Sequence, residues 1–131
     1  MPFKNLPPPI KQKKNRTGRY LLEKDIEAYG AKVFKKLKWT FEKYTSPERC
    51  SVPDRLCAAP DFPSAFVFFI EFKKPGEIAT TNQQIDHAER RELGVVVFVV
   101  DCFGQLDMVV DIVKWILANG LIPELPPYLM K

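Results

Sequence analysis

Residues 66–72 read F-V-F-F-I-E-F, an apolar and aromatic run interrupted once, by Glu71, and followed at once by Lys73. That length and composition match a β-strand covered on both faces, where charge is least welcome. Side chains two apart on a strand share a face, so Glu71 and Lys73 point the same way as Val67 and Phe69. Taking a carboxylate and an ammonium out of water costs several kcal/mol per ion, and their attraction offsets this only with good geometry and further partners. Stability alone would favour Val or Ile at both positions. The spacing by itself is weak evidence, and on it alone the favoured reading is a strand end whose two charged heads reach solvent, with a functional pair as the alternative.

Asp54 strengthens the functional reading. It follows Pro53 and leads into a short strand through Arg55, Leu56 and Cys57, ahead of the turn-rich A-P-D-F-P-S at residues 59–64. A hairpin across that turn lays the start of one strand opposite the end of the other, which brings Asp54 beside Glu71 and Lys73. Two carboxylates ~4 Å apart repel by about 4 kcal/mol at an effective dielectric of 20, so such a cluster is tolerable when a cation holds it together. Asp and Glu oxygens with no Cys or His beside them select a hard ion such as Mg²⁺ or Mn²⁺.

Pro53-Asp54, a hairpin and then Glu71-Phe72-Lys73 resemble the PD-(D/E)xK nuclease signature. The flanks T-S-P-E-R-C-S-V-P-D-R and F-I-E-F-K-K-P-G, with Gln83 and Glu92-Leu93-Gly94 downstream, are similar to its VRR-NUC branch. That branch includes small stand-alone phage nucleases and the nuclease domain of the Fanconi-associated nuclease. The similarity runs from about Glu23 to Asp107, and Ser51 stands where the family usually has glycine, which puts the loop's backbone geometry in question but not its ligands. The resemblance implies a restriction-endonuclease-like α/β core and a Mg²⁺- or Mn²⁺-dependent endodeoxyribonuclease. It implies a catalytic site of Asp54, Glu71, Lys73 and Gln83, with the Phe72 backbone carbonyl as a further metal ligand. A helical glutamate completes the metal site in this family; Glu27 in I-E-A-Y matches it, with Glu23 as the rival candidate. Branched DNA such as Holliday junctions, a role in DNA repair, a homodimer and a place in the cytoplasm of a bacterium or phage-infected cell are implied as well.

At 131 residues the chain fits one domain with a single core, and 46% hydrophobic content is ordinary for a globular protein. No apolar run reaches the roughly 18 residues of a membrane span, and no signal-peptide pattern precedes the first helix, so a soluble intracellular protein is expected. Cys50, Cys57 and Cys102 are odd in number and lack C-x-x-C spacing, which reads as reduced thiols. His87 is the single histidine, which removes histidine-clustered metal sites. Net charge is +4, yet Lys4, Lys11, Lys13, Lys14, Arg16 and Arg19 all precede Tyr20 with no acidic residue among them, so the remainder is slightly acidic. With Pro2, Pro7, Pro8 and Pro9 interrupting it, segment 1–19 reads as a flexible basic arm ahead of a nuclease domain at 20–131. Such an arm either lies on phosphates, through Lys11, Lys13 and Lys14, or only solubilises the chain.

Leu22, Ile26, Tyr29, Val33 and Leu37 recur at helical spacing, which predicts an amphipathic helix over 21–37 with lysines on its polar side. Residues 38–45 alternate and predict a strand. Arg49 and Arg55 flank the site as phosphate ligands or as ordinary surface arginines. After Lys74-Pro75-Gly76 a helix is predicted from an N-cap at Thr81 to Leu93, carrying Gln83, His87, Arg90 and Arg91 on one side. Val95 to Val100 predicts a buried strand parallel to the one bearing Glu71. A last helix, 105–118, is apolar almost all round, which calls for cover on several sides, by a second copy of the chain or by its own L-I-P-E-L-P-P-Y tail.

The predicted order is α-β-β-β-α-β-α, a mixed sheet with helices on both faces. The expected protein is a structure-specific endonuclease that contacts DNA through Arg49, Arg55, Lys74, Arg90 and the arm. The alternatives are a restriction-type or nicking DNase, and a catalytically silent DNA-binding module of the same fold.

Overall fold

The computed structural model describes every residue except Met1, Lys13, Asn15, Arg16, Phe62 and Pro63. Helix α1 (Glu23–Leu37) leads into strands β1 (Thr40–Lys43), β2 (Arg55–Asp61) and β3 (Ser64–Phe72). Helix α2 (Thr81–Glu92), strand β4 (Val96–Val100), helix α3 (Phe103–Asn119) and a 3-10 turn (Pro127–Leu129) complete the chain. The sheet order is β1-β2-β3-β4, antiparallel through β3 and parallel between β3 and β4, because α2 carries the chain back across the sheet before β4. This is the mixed-sheet α/β architecture and the element order that the sequence predicts.

Alternation along β3 separates two environments. Phe68, Ile70 and Phe72 join Ile26 and Phe34 of α1, Phe98 of β4 and Leu106 and Val109 of α3 in the main core. Phe69 and Glu71 face the other way, toward α2, where the Arg90 guanidinium lies 4.9 Å from the Phe69 ring centre. Each phenylalanine fully removed from water contributes about 1.5 to 3 kcal/mol, so the aromatic face fixes the register and, with it, where Glu71 points.

Three local expectations shift. Ala59, Pro60 and Asp61 belong to β2, so the strand pairing runs to Asp61 opposite Ser64. The N-cap of α2 is Thr80, not Thr81: its Oγ1 accepts the Gln83 N–H at 3.2 Å while Gln83 Oε1 accepts the Thr80 N–H at 2.9 Å. The buried line of α1 is Ile26, Gly30 and Phe34, and Leu22 is exposed. Gly30 sets that phase, since a Cβ there would meet the Phe41 ring at 3.1 Å.

The arm and the tail both reach α3. Phe3 stands edge-on to Trp115 of α3 at 6.1 Å, Lys4 pairs with Glu124 at 3.0 Å, and Pro9 sits against Gly104. The described part of the arm is laid along α3 and not free. Leu125, Tyr128 and Leu129 of the tail also join the core. Cover for the apolar sides of α3 thus comes in part from within the chain. Among the described residues no helix is long and apolar enough to cross a membrane.

Candidate active site

The β2-β3 register sets Arg55 opposite Ile70, so Asp54, just before β2, comes abreast of Glu71 at the end of β3. Asp54 Oδ2 accepts the Phe72 N–H at 2.8 Å, and its backbone carbonyl accepts the Tyr44 N–H at 2.9 Å. On the other side of β3 the parallel ladder continues one step past Phe72, with the Lys73 N–H donating to the Val100 carbonyl at 2.9 Å. Two ladders thus hold the backbone of Asp54, Glu71, Phe72 and Lys73 in place.

Burial pushes the Asp54 carboxyl up to about 7, helped by a hydrogen bond to Glu71 and by the Glu71 charge, with the Phe72 amide opposing. Glu71 is also raised, first by burial, while its bond with Asp54 and the nearby Lys73 pull it back. Both carboxyls are thus held above the ordinary carboxylate range. Glu71 is 2% exposed, and its Oε2 has no hydrogen-bond partner. Lys73 is 6% exposed, and among the described residues no carboxylate lies within ion-pair distance of it. A cleft of about 410 Å³ opens on Asp54 and is lined by Glu27, Lys43, Tyr44 and Arg49. A second, of about 370 Å³, is lined by Lys74, Pro75, Gly76, Tyr20 and Lys11.

Among the described residues no three His, Cys, Asp or Glu side chains form a ready-made metal cage. The Asp54-Glu71 pair nevertheless fits a hard divalent cation. Its donors are oxygens, one of them orphaned and buried, and Mg²⁺ in particular is commonly held by one or two carboxylates while keeping several waters. A cation there would take the place of the Asp54 proton.

Other expected site residues are engaged by partners of their own. Glu27 lines the cleft beside Asp54 and forms an ion pair with Arg55, Nε to Oε2 2.9 Å, and the Arg55 guanidinium also stacks 4.7 Å from the Phe41 ring centre. The Glu27 charge still reaches Asp54, while Glu23, one helical turn earlier, is the acid whose charge acts on Glu71; burial and Asp54 raise the Glu23 carboxyl and Lys73 pulls it back. Gln83 Oε1 closes the capping box of α2. Arg49 contacts Asp86 Oδ1 at 2.9 Å, in ion-pair range without hydrogen-bond alignment, and Glu89 at 2.6 Å. Arg90 holds the other Asp86 oxygen at 2.9 Å. Lys11 is bound by Asp101 at 2.5 Å, and Lys14 lies 5.7 Å over the Tyr20 ring. Of the expected DNA ligands Lys74 stays well exposed, with Glu77 3.7 Å away, while Lys13 falls outside the described residues.

Two residues of α2 matter more than the sequence indicates. Asp86 and His87 are each 1% exposed. Asp86 is the anchor through which Arg49 ties the loop leading to Asp54 onto α2. His87 Nε2 faces Glu71 Oε2 at 3.7 Å; burial, with Arg91 next in effect, pulls its imidazole down to about 4, so it is neutral at pH 7. The signal available in the sequence was the spacing of Gln83 and His87, which puts them on one side of the helix.

No protein-family model matches the chain. A protein of Acyrthosiphon pisum secondary endosymbiont phage 1, named "Putative nuclease p44", is 37% identical over 83 residues, covering 63% of this chain and 86% of that protein. A solved structure described as "VRR_NUC domain" superposes with a TM-score of 0.61 at 27% identity, covering 68% of this chain and 94% of that one. Sequence relationship and fold agree: the chain belongs to the VRR-NUC family of nucleases.

Proposed function

We propose that the protein is a divalent-metal-dependent endonuclease that hydrolyses phosphodiester bonds in branched DNA, with four-way junctions as the leading substrate. The observation that carries this reading is half-buried Asp54 beside buried Glu71, whose Oε2 is orphaned, and a buried Lys73 with no carboxylate in ion-pair range among the described residues. Asp54, Glu71 and the Phe72 carbonyl would hold the ion, with Glu23 in place of Glu27 as the additional acid. A Mg²⁺ or Mn²⁺ ion bound there supplies Lewis-acid polarisation of the scissile phosphate and a bound water of lowered pKa.

The remaining work falls to the chain's own groups. The Phe72 N–H fixes Asp54 Oδ2, so the carboxylate meets its ligand without reorganising. The Lys73 ammonium, buried and held next to Glu71 by the β3-β4 ladder, positions the attacking water and offsets charge that builds on the phosphate oxygens. Lys74 would take a neighbouring phosphate. The described residues form one sheet and its covering helices, which favours recognition of backbone shape over base sequence.

The test is incubation with Mn²⁺ of linear, flapped and four-way DNAs of matched sequence. Preferential cutting of four-way DNA, lost on chelation and in D54A, is expected. Equal cutting of linear duplex would contradict the substrate class, and cutting in chelator would contradict the metal.

A further inference from the structure

Glu71 Oε2 and His87 Nε2 are both buried, both without a hydrogen-bond partner, and face each other at 3.7 Å. Buried polar atoms left unpaired each cost about 1 to 3 kcal/mol, and two such atoms turned toward one another across a sheet-helix interface form an incomplete contact, not two accidents. The gap exceeds hydrogen-bonding range by less than about 1 Å. Neither side is free to turn away. Glu71 is fixed by the ladders on both sides of β3, and the turn of α2 that carries His87 is pinned by Asp86 between Arg49 and Arg90.

We propose that His87 is the positioning residue of Glu71: its Nε2–H closes onto Glu71 Oε2 and orients the carboxylate so that the other oxygen, with Asp54, is presented to a divalent cation. A carboxylate oxygen can only accept, so the imidazole must carry its proton on Nε2. Supporting donors of this kind keep a ligand's geometry and charge fixed, and losing one typically costs 10- to 100-fold in metal affinity. His87 touches neither DNA nor the ion in this account. The proposal rests on the metal-dependent reading above.

Two measurements test it. In the metal-free protein at pH 7, long-range ¹H–¹⁵N spectra of the imidazole should show the proton on Nε2, with a resonance that moves in E71Q; a bare Nε2 overturns the proposal. Calorimetric Mn²⁺ titration should show H87L binding about 10- to 100-fold more weakly than wild type. H87Q, which can offer an N–H at the same place, should recover part of that loss. H87L binding like wild type, or H87Q no better than H87L, overturns the proposal. If H87L does not fold, H87Q and the spectrum decide. A wild-type protein that takes up no Mn²⁺ would contradict the metal reading instead, and the spectrum would still decide the His87-Glu71 contact.

Discussion

The Asp54 carboxyl hydrogen-bonds to that of Glu71 across the β2-β3 hairpin, while Asp54 Oδ2 accepts the Phe72 N–H at 2.8 Å. Without a cation, the half-buried Asp54 carboxyl beside the buried Glu71 holds its proton to higher pH than usual. The folded pKa of Asp54, about 7, lies above its ordinary value of 3.8, so the folded state binds a proton that the unfolded state has lost. The contribution of this group to stability is complete below about pH 4 and is lost as pH rises toward 7. Urea unfolding of the metal-free protein should show stability falling across that window. D54N, which needs no proton to stay neutral, should flatten the slope and raise metal-free stability at pH 7 by about 1 to 2 kcal/mol while abolishing cleavage.

The same proton competes with the metal. Mn²⁺ affinity should rise by up to about tenfold per pH unit below 7 and level off above it, as expected when one proton must leave for the ion to enter. Calorimetry in buffers of different ionisation enthalpy would count that proton directly.

Glu23 and Glu27 separate by their partners. Arg55 pairs with Glu27, whose charge reaches Asp54, whereas Glu23 acts on Glu71. E23Q should lower cleavage on the order of 10- to 100-fold. E27Q should change it by no more than about 3-fold, which corresponds to ~0.6 kcal/mol. Single-turnover rates at saturating Mn²⁺ check both.

Asp86 is the shared anion of Arg49 and Arg90. D86A leaves both guanidinium groups without it and should lower stability by about 3 kcal/mol, read from urea denaturation. Because Arg49 belongs to the loop that delivers Asp54, cleavage should fall as well.

The arm makes its own prediction. A Cβ at Gly104 would stand 2.6 Å from Pro9 Cβ, so G104A must displace the arm, although Ala favours the helix by ~1 kcal/mol. Tryptic cleavage of segment 1–19 should quicken with little change in global stability.

What could be read from the chain follows period and pairing. The charges of Glu71 and Lys73 at the end of an apolar strand, with Asp54 across a hairpin, suffice to bring the site together, because antiparallel pairing fixes which ends meet. The roles of Glu27, Gln83, Arg49, Arg55 and Arg90 depend instead on which opposite charge or open backbone group another element sets beside each side chain, and no local pattern encodes that. The arm's charge and prolines likewise carry no signal of its contacts, Phe3 with Trp115 and Pro9 at Gly104.

The most direct test of the account is K73A, with binding and single-turnover cleavage of four-way DNA measured side by side in Mn²⁺. Binding should stay within about 3-fold of wild type while cleavage falls by on the order of 10²- to 10³-fold. Cleavage by K73A at the wild-type rate would contradict the assignment of this site as the catalytic centre.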